Sequence, residues 1–218
     1  VAATQLEAPR AEGAAHIRNE PVQARSAARL TALLDAAAQV IEEIGYERLT
    51  TAMVAERAGA SIGTVYRYFP DRIAVLQSLA ARNAERTTDA ALAELSDPVH
   101  ADWAAALSAA FGLLVDAFRS EPGFASLRYG DVLDLRPAIG APALRDFADR
   151  MFEVLTKRFA LDRGDAARNA LDASVVMADS VAARAFHTDP RGDEKTLAHA
   201  ATAAFALLAP FWGDPRRS

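Results

Sequence analysis

Within one short stretch, Thr50, Thr51, Ser61, Thr64, Tyr66, Arg67, Tyr68 and Arg72 supply hydroxyls, phenols and guanidinium groups. All of them donate hydrogen bonds, and all but the arginines also accept them. Groups of this kind meet phosphate oxygens and base edges, which is positioning and reading chemistry rather than bond breaking. The remaining chemistry is thin. The chain has no cysteine, and His16, His100, His187 and His199 show neither H-x-x-H nor HExxH spacing, so no metal site is expected. A G-x-S-x-G turn, a P-loop and a glycine-rich dinucleotide turn are also missing. That does not exclude an enzyme, since catalytic triads are scattered in sequence. Beside a stretch suited to phosphates and base edges, however, neither an enzyme nor a cofactor is expected.

Two short helices must position the polar set. Residues Thr50 to Arg72 read TTAMVAERAGASIGTVYRYFPDR. In the first helix, Thr51 to Ala58, a narrow inner face is made by Val54, Ala55 and Ala58. Thr50 and Thr51 offer hydroxyls to the unpaired N–H groups at its start. Gly59 stands where a helix ends in the left-handed region, and Ser61 can cap a second helix from Ile62 to about Phe69. Helix, glycine turn and helix is the helix-turn-helix plan, in which the second helix lies in a DNA major groove. On the wheel Val65 and Phe69 face inward, with Ile62 beside them and expected in the core. Thr64, Arg67 and Tyr68 face outward. Pro70 stops the helix, and Asp71 caps the next.

The run T-T-x-x-V-A-x-x-A-G-x-S-x-G-T-x-Y-x-Y-F-x-x-R resembles the DNA-binding segment of the TetR family of bacterial repressors, with the match covering residues 25 to 75. The resemblance implies phosphate contacts from Thr50, Thr51, Tyr66 and Arg72, with Tyr68 near backbone or bases. Ala52 and Ile62 stand where the family often places polar base readers. Arg67 is therefore the best candidate for reading a base, most simply guanine, and Ile62 could meet only something apolar such as a thymine methyl.

Half of the 218 residues are hydrophobic (51%), enough for a substantial core. No apolar run reaches the roughly 20 residues that span a bilayer, and no signal-peptide pattern opens the chain, so a cytoplasmic protein is expected. Net charge is −5, with neither half basic, so any DNA contact rests on the local surface near Arg67 and Arg72. Residues 1–24 read as a mobile arm, 25–72 as the helix-turn-helix domain and 73–218 as a larger domain for ligand binding and dimerisation.

Helical periodicity runs through the rest. A first helix spans Ser26 to Ile44, and an uninterrupted connector runs from Asp71 to Leu95. Further helices are expected at Val99–Arg119, Phe124–Gly130, Ala143–Leu161, Asp165–His187 and Glu194–Phe211, with a loop at 131–142. No strand pattern appears. The expected fold is all-α with about nine helices, a count that the resemblance shares. Trp103, Phe111, Phe118, Phe124, Tyr129, Met151, Phe152 and Met177 can line an apolar pocket between helices, with Arg128, Asp131 and Asp134 at its mouth. The resemblance implies a small-molecule effector there, which releases DNA. The last two helices are apolar on more than one face, through Val176 and Val181 on one and Phe205, Leu208, Phe211 and Trp212 on the other. In the family such a pair forms a four-helix homodimer interface that sets two reading helices on a palindromic operator. A helical enzyme or carrier for an apolar molecule, retaining a helix-turn-helix, is the alternative.

Overall fold

Side-chain caps open most of the helices in the computed structural model, which describes residues 14–129 and 141–215 and, within them, side chains from 23 onward except 126, 128–129 and 141–143. Among the described residues the chain forms nine α-helices and one 3₁₀ turn, with no strand. They are α1 (Ala14–Ile44), the 3₁₀ turn (Tyr46–Arg48), α2 (Thr51–Arg57), α3 (Ile62–Tyr68), α4 (Arg72–Ser96) and α5 (Trp103–Ser120). α6 (Phe124–Tyr129), α7 (Ala141–Phe159), α8 (Asp165–Thr188) and α9 (Glu194–Trp212) complete the fold. Thr50, Ser61, Asp71, Asp102 and Asp193 each accept a hydrogen bond from a backbone N–H in the first turn that follows.

Two helix starts differ from the sequence reading. α1 begins at Ala14 rather than Ser26. Its added turns include three Ala and two Arg, good helix formers, together with Pro21, and residues 23–29 are exposed, so no apolar period marks the extension. α5 begins at Trp103 rather than Val99. The Asp97 carboxylate accepts from Val99 N at 2.9 Å, which holds a turn there, and Asp102 supplies the cap.

The inner faces of α1, α2 and α3 close a first core on Leu33, Ile41, Leu49, Val54, Val65 and Phe69. Val75, Leu76 and Leu79 of α4 and Leu127 of α6 belong to the same core. Residue 72, where the divide was expected, is the first residue of a helix whose first half packs into the helix-turn-helix core. The second half of α4, through Ala91 and Leu95, packs with Trp103, Phe152, Leu155, Leu171, Leu208 and Trp212 in a second core. A third cluster joins Phe118 to Phe124 and Phe186.

α1 meets the α5–α6 turn at Gly123. Its φ is +72°, and its N–H donates to the Glu42 carboxylate at 2.9 Å. A Cβ here would lie 3.3 Å from Ile41 Cγ2. Gly123→Ala is expected to destabilise the fold by about 1–2 kcal/mol, from the left-handed backbone alone before any displacement of α6. Urea denaturation against the wild type measures the loss.

Candidate nucleic-acid interface and ligand cavity

α2 and α3 are seven residues each, too short to hold themselves, and polar tethers tie them to α1 and to each other. Gly59 makes the turn between them at φ +57°, where a Cβ would meet nothing within 4 Å. Thr50 Oγ1 accepts from Met53 N at 3.2 Å, and Thr51 Oγ1 donates to the Tyr66 hydroxyl at 3.4 Å, which joins the start of α2 to the middle of α3. Ser61 Oγ caps α3 through Thr64 N at 3.1 Å and shares a hydrogen with Thr64 Oγ1 at 2.9 Å. Tyr66 is 53% exposed. Arg67 is exposed too, and no hydrogen bond or ion pair engages it among the described residues. Arg57, by contrast, pairs with Glu43 of α1 at 2.6 Å. That hydrogen bond holds the Glu43 carboxyl below the usual carboxylate range.

Three side chains are not where the sequence reading set them. Tyr68 is half-buried and reaches back to α1, its hydroxyl 3.0 Å from Ser26 Oγ. Arg72 turns onto the 3₁₀ turn and donates from Nη1 to the Glu47 carbonyl at 2.7 Å and the Tyr46 carbonyl at 3.4 Å. Those acceptors account for a cation in the first turn of a helix, where the dipole disfavours it. Ile62 is 43% exposed rather than buried. A first-turn side chain leans beyond the helix N-terminus, and a wheel projection does not register where the helix begins. Met53, 38% exposed on α2, carried no signal in its own periodicity.

Between α4, α5, α7, α8 and α9 lies a cavity of about 520 Å³. Trp103, Phe111, Phe124 and Met151 stand on its wall. Phe118, Phe152 and Met177 do not. Phe118 is packed between Phe124 and Phe186, at 4.9 and 4.7 Å between ring centroids. Phe152 is fully buried, with the Arg168 guanidinium 4.2 Å over its ring. Met177, on α8 beyond the lining residues Val175 and Ala178, is half-buried off the wall. The side chains of Arg128 and Tyr129, with Asp131 and Asp134, lie outside the described residues. The wall's hydroxyls are largely committed to their own helices, as Thr87 donates to the Asn83 carbonyl and Ser174 to that of Ala170. Among the described residues the lining includes the carboxylates of Asp102 and Asp179 but no Arg, Lys or His.

The sequence profile of bacterial regulatory proteins of the tetR family matches residues 33–79, and that of the tetracyclin repressor-like C-terminal domain matches residues 101–212. A TetR-family transcriptional regulator from Streptomyces coelicolor superposes with a TM-score of 0.67 at 31% identity, covering 84% of this chain and 99% of that one. The chain belongs to the TetR family. The HTH-type transcriptional repressor KstR of Rhodococcus jostii is 44% identical over 54 residues, a match that spans 25% of this chain and 26% of KstR. FadR of Bacillus halodurans, a fatty acid degradation regulator, shares the fold with a TM-score of 0.63 at 23% identity, over 83% of this chain and 94% of its own. These relatives are regulators, not enzymes.

The surface expected to pair two copies of this TetR-family chain is narrower than the sequence suggested. Val176 and Phe211 are exposed, at 40% and 38%, and Leu207 joins them at 40%. Val181 is half-buried. Leu208, Trp212 and Phe205 turn inward instead: Leu208 is fully buried, and Trp212 Nε1 donates to the Asp162 carbonyl at 3.2 Å. Phe205 stacks on Trp103 at 5.3 Å and lines the cavity. A helix apolar all round is buried on both sides, and the sequence pattern does not say which side is its own core.

The two tyrosines of α3 should separate fold from interface. Tyr68→Phe removes the link to Ser26 and should cost about 0.5–1.5 kcal/mol of stability. Tyr66→Phe, on the surface, should stay within about 0.5 kcal/mol of wild type. Denaturation midpoints of the two variants test the difference.

Proposed function

We propose that this chain is a sequence-specific DNA-binding repressor that acts as a homodimer and leaves its palindromic operator when an apolar small molecule fills the cavity. The observation that carries the reading is where large apolar side chains remain exposed. Among the described residues they are Met53, Ile62, Tyr66, Val99, Val176, Leu207 and Phe211. Three sit on α2 and α3 and three on the outer side of α8 and α9, leaving Val99 alone in a turn. Scattered exposure needs no explanation, but exposure gathered on two faces marks contact surfaces.

The two faces have different partners. Around α3 the apolar residues lie beside Arg67, Thr51 and the Tyr66 hydroxyl, a mixture suited to base edges and phosphates. On α8 and α9 a second copy is the occupant, because symmetric pairing buries the same residues twice and sets two α3 helices on successive major grooves, about 34–36 Å apart. The cavity wall, apolar and without a cation among its described residues, favours an effector that carries no negative charge.

Gel retardation with a duplex selected from genomic DNA tests the reading. Specific retardation that a compound reverses supports it; turnover of an added substrate without retardation supports a helical enzyme or carrier. On that duplex Thr51→Ala and Tyr66→Phe should weaken binding by similar factors on all sequence variants, since phosphate contacts carry no sequence information. Arg67→Ala should cost about 1–3 kcal/mol on the best operator and less on variants at one base pair. Equal losses everywhere would mean that Arg67 positions rather than reads.

For assembly, Val176→Asp or Phe211→Asp should yield folded monomers in sedimentation, because each sets an unpaired charge in the pairing face. Operator affinity should fall with dimerisation although both residues are far along the chain from α3. A dimer of normal affinity in either variant removes that residue from the interface.

A further inference from the structure

Ile62 and Gly63 form an apolar edge on α3 that neither the core nor the backbone accounts for. Ile62 is 43% exposed at the first position of the helix, although a β-branched apolar residue stabilises nothing by facing water. It lies one turn from Tyr66, and residues four apart on a helix share a face. The Tyr66 hydroxyl is joined to Thr51 of α2. Ile62 is thus continuous with the polar surface assigned above to DNA.

Gly63 is the second observation. It sits inside a helix, where glycine is the least favourable residue short of proline. Its φ is not in the left-handed region, and a Cβ there would meet only Ser61 Oγ at 3.9 Å. Among the described residues nothing requires the missing side chain. On the wheel Gly63 lies in line with Arg67, four residues on and exposed, and away from Val65 and Phe69. A bare backbone at the outermost point of a helix lets another surface approach closely.

We infer, on the reading proposed above, that Ile62 reads the C5-methyl of a thymine in each operator half-site and that Gly63 allows α3 to seat deeply enough for it to do so. The chemistry leaves little choice. In the major groove the thymine methyl is the one apolar group that base edges present, the rest being donors and acceptors. Isoleucine can neither donate nor accept. Against a methyl it buries apolar surface; against the cytosine or adenine amine it strips water from a donor and returns no partner. Ile62 therefore adds a base preference that Arg67 cannot supply, since a guanidinium seeks the guanine acceptors.

The test uses the full-length chain and a duplex that it selects from a random library. Each half-site thymine is replaced in turn by deoxyuridine, which keeps every hydrogen-bonding group and lacks only the methyl. The expected result is one thymine per half-site at which uracil weakens wild-type binding by about fourfold, the worth of one buried methyl-sized group. Ile62→Ala should bind the thymine and uracil duplexes equally. Gly63→Ala should raise Tm, since alanine favours the helix and finds open space, and yet lower operator affinity about fivefold or more by holding α3 out of the groove. Indifference of the wild type to uracil at every position, a selected half-site without thymine, or discrimination that survives in Ile62→Ala would each overturn the inference for Ile62. Wild-type affinity in Gly63→Ala would overturn it for Gly63. Failure to select any duplex would instead overturn the regulator reading on which it rests.

Discussion

The structure depends on α4 being buried twice. Its first turns, through Val75, Leu76 and Leu79, complete the core of the helix-turn-helix unit. Its last turns, through Ala91 and Leu95, complete the core around Trp103 and Phe152. Neither Gly nor Pro interrupts the 25 residues between Arg72 and Ser96, so the two cores are fixed to one rod about 37 Å long. Ionic contacts brace it from outside, Arg82 reaching Asp35 of α1 at 2.7 Å and Arg150 of α7 reaching Asp89 at 3.2 Å. Such surface pairs add little stability each. What they add is orientation.

A second consequence concerns which polar groups remain available. The helix-turn-helix unit contains several arginines and tyrosines, but most of them hold the fold. Arg57 is tied to Glu43, Arg48 donates to the Ile44 carbonyl, Arg72 grips the 3₁₀ turn and Tyr68 is hooked to Ser26. Of these contacts, Arg57–Glu43 and Tyr68–Ser26 tie the two seven-residue helices to α1, beside the core that they share with it. Arg67, Tyr66 and the threonines that cap and flank α2 are left facing outward, the small remainder that the polar stretch offers to a partner.

That division was only partly legible in the sequence. Caps, the glycine turn and the inward Val65 and Phe69 are local signals, and the two short helices, the long connector and the all-helical fold followed from them. The intramolecular partners of Tyr68 and Arg72 did not show there, because they lie 42 and 25 residues away, at a distance no helical wheel registers. The same limit applied to α9. Leu207 and Leu208 are adjacent and chemically identical, yet one is 40% exposed and the other fully buried. Periodicity showed that the helix needs burial on two sides. Only packing against Phe152 and Trp103 decides which side is its own.

The cavity's walls make a signal to α3 physically reasonable, and magnitudes say what it needs. Moving a two-state equilibrium from 1:99 to 99:1 takes about 5.5 kcal/mol of differential binding, not merely tight binding. At about 25 cal/mol per Å² that is about 220 Å² of apolar surface buried in one conformation and not the other. One aromatic side chain closing over a ligand approaches that area, since each buries about 150–250 Å². Phe124 cannot supply that area by closing, because it is already buried against Phe118, but it is placed to pass on a displacement. It lines the cavity, and the neighbouring Gly123 is hydrogen-bonded to Glu42 and packed against Ile41 of α1. Ala84, Thr87 and Ala91 put α4 on the same wall. A ligand that moved Phe124 would therefore act on α1 and α4 together, the two long helices against which α2 and α3 are held. Filling the cavity beside Phe147 or Leu171 alone would add affinity to both conformations and shift neither.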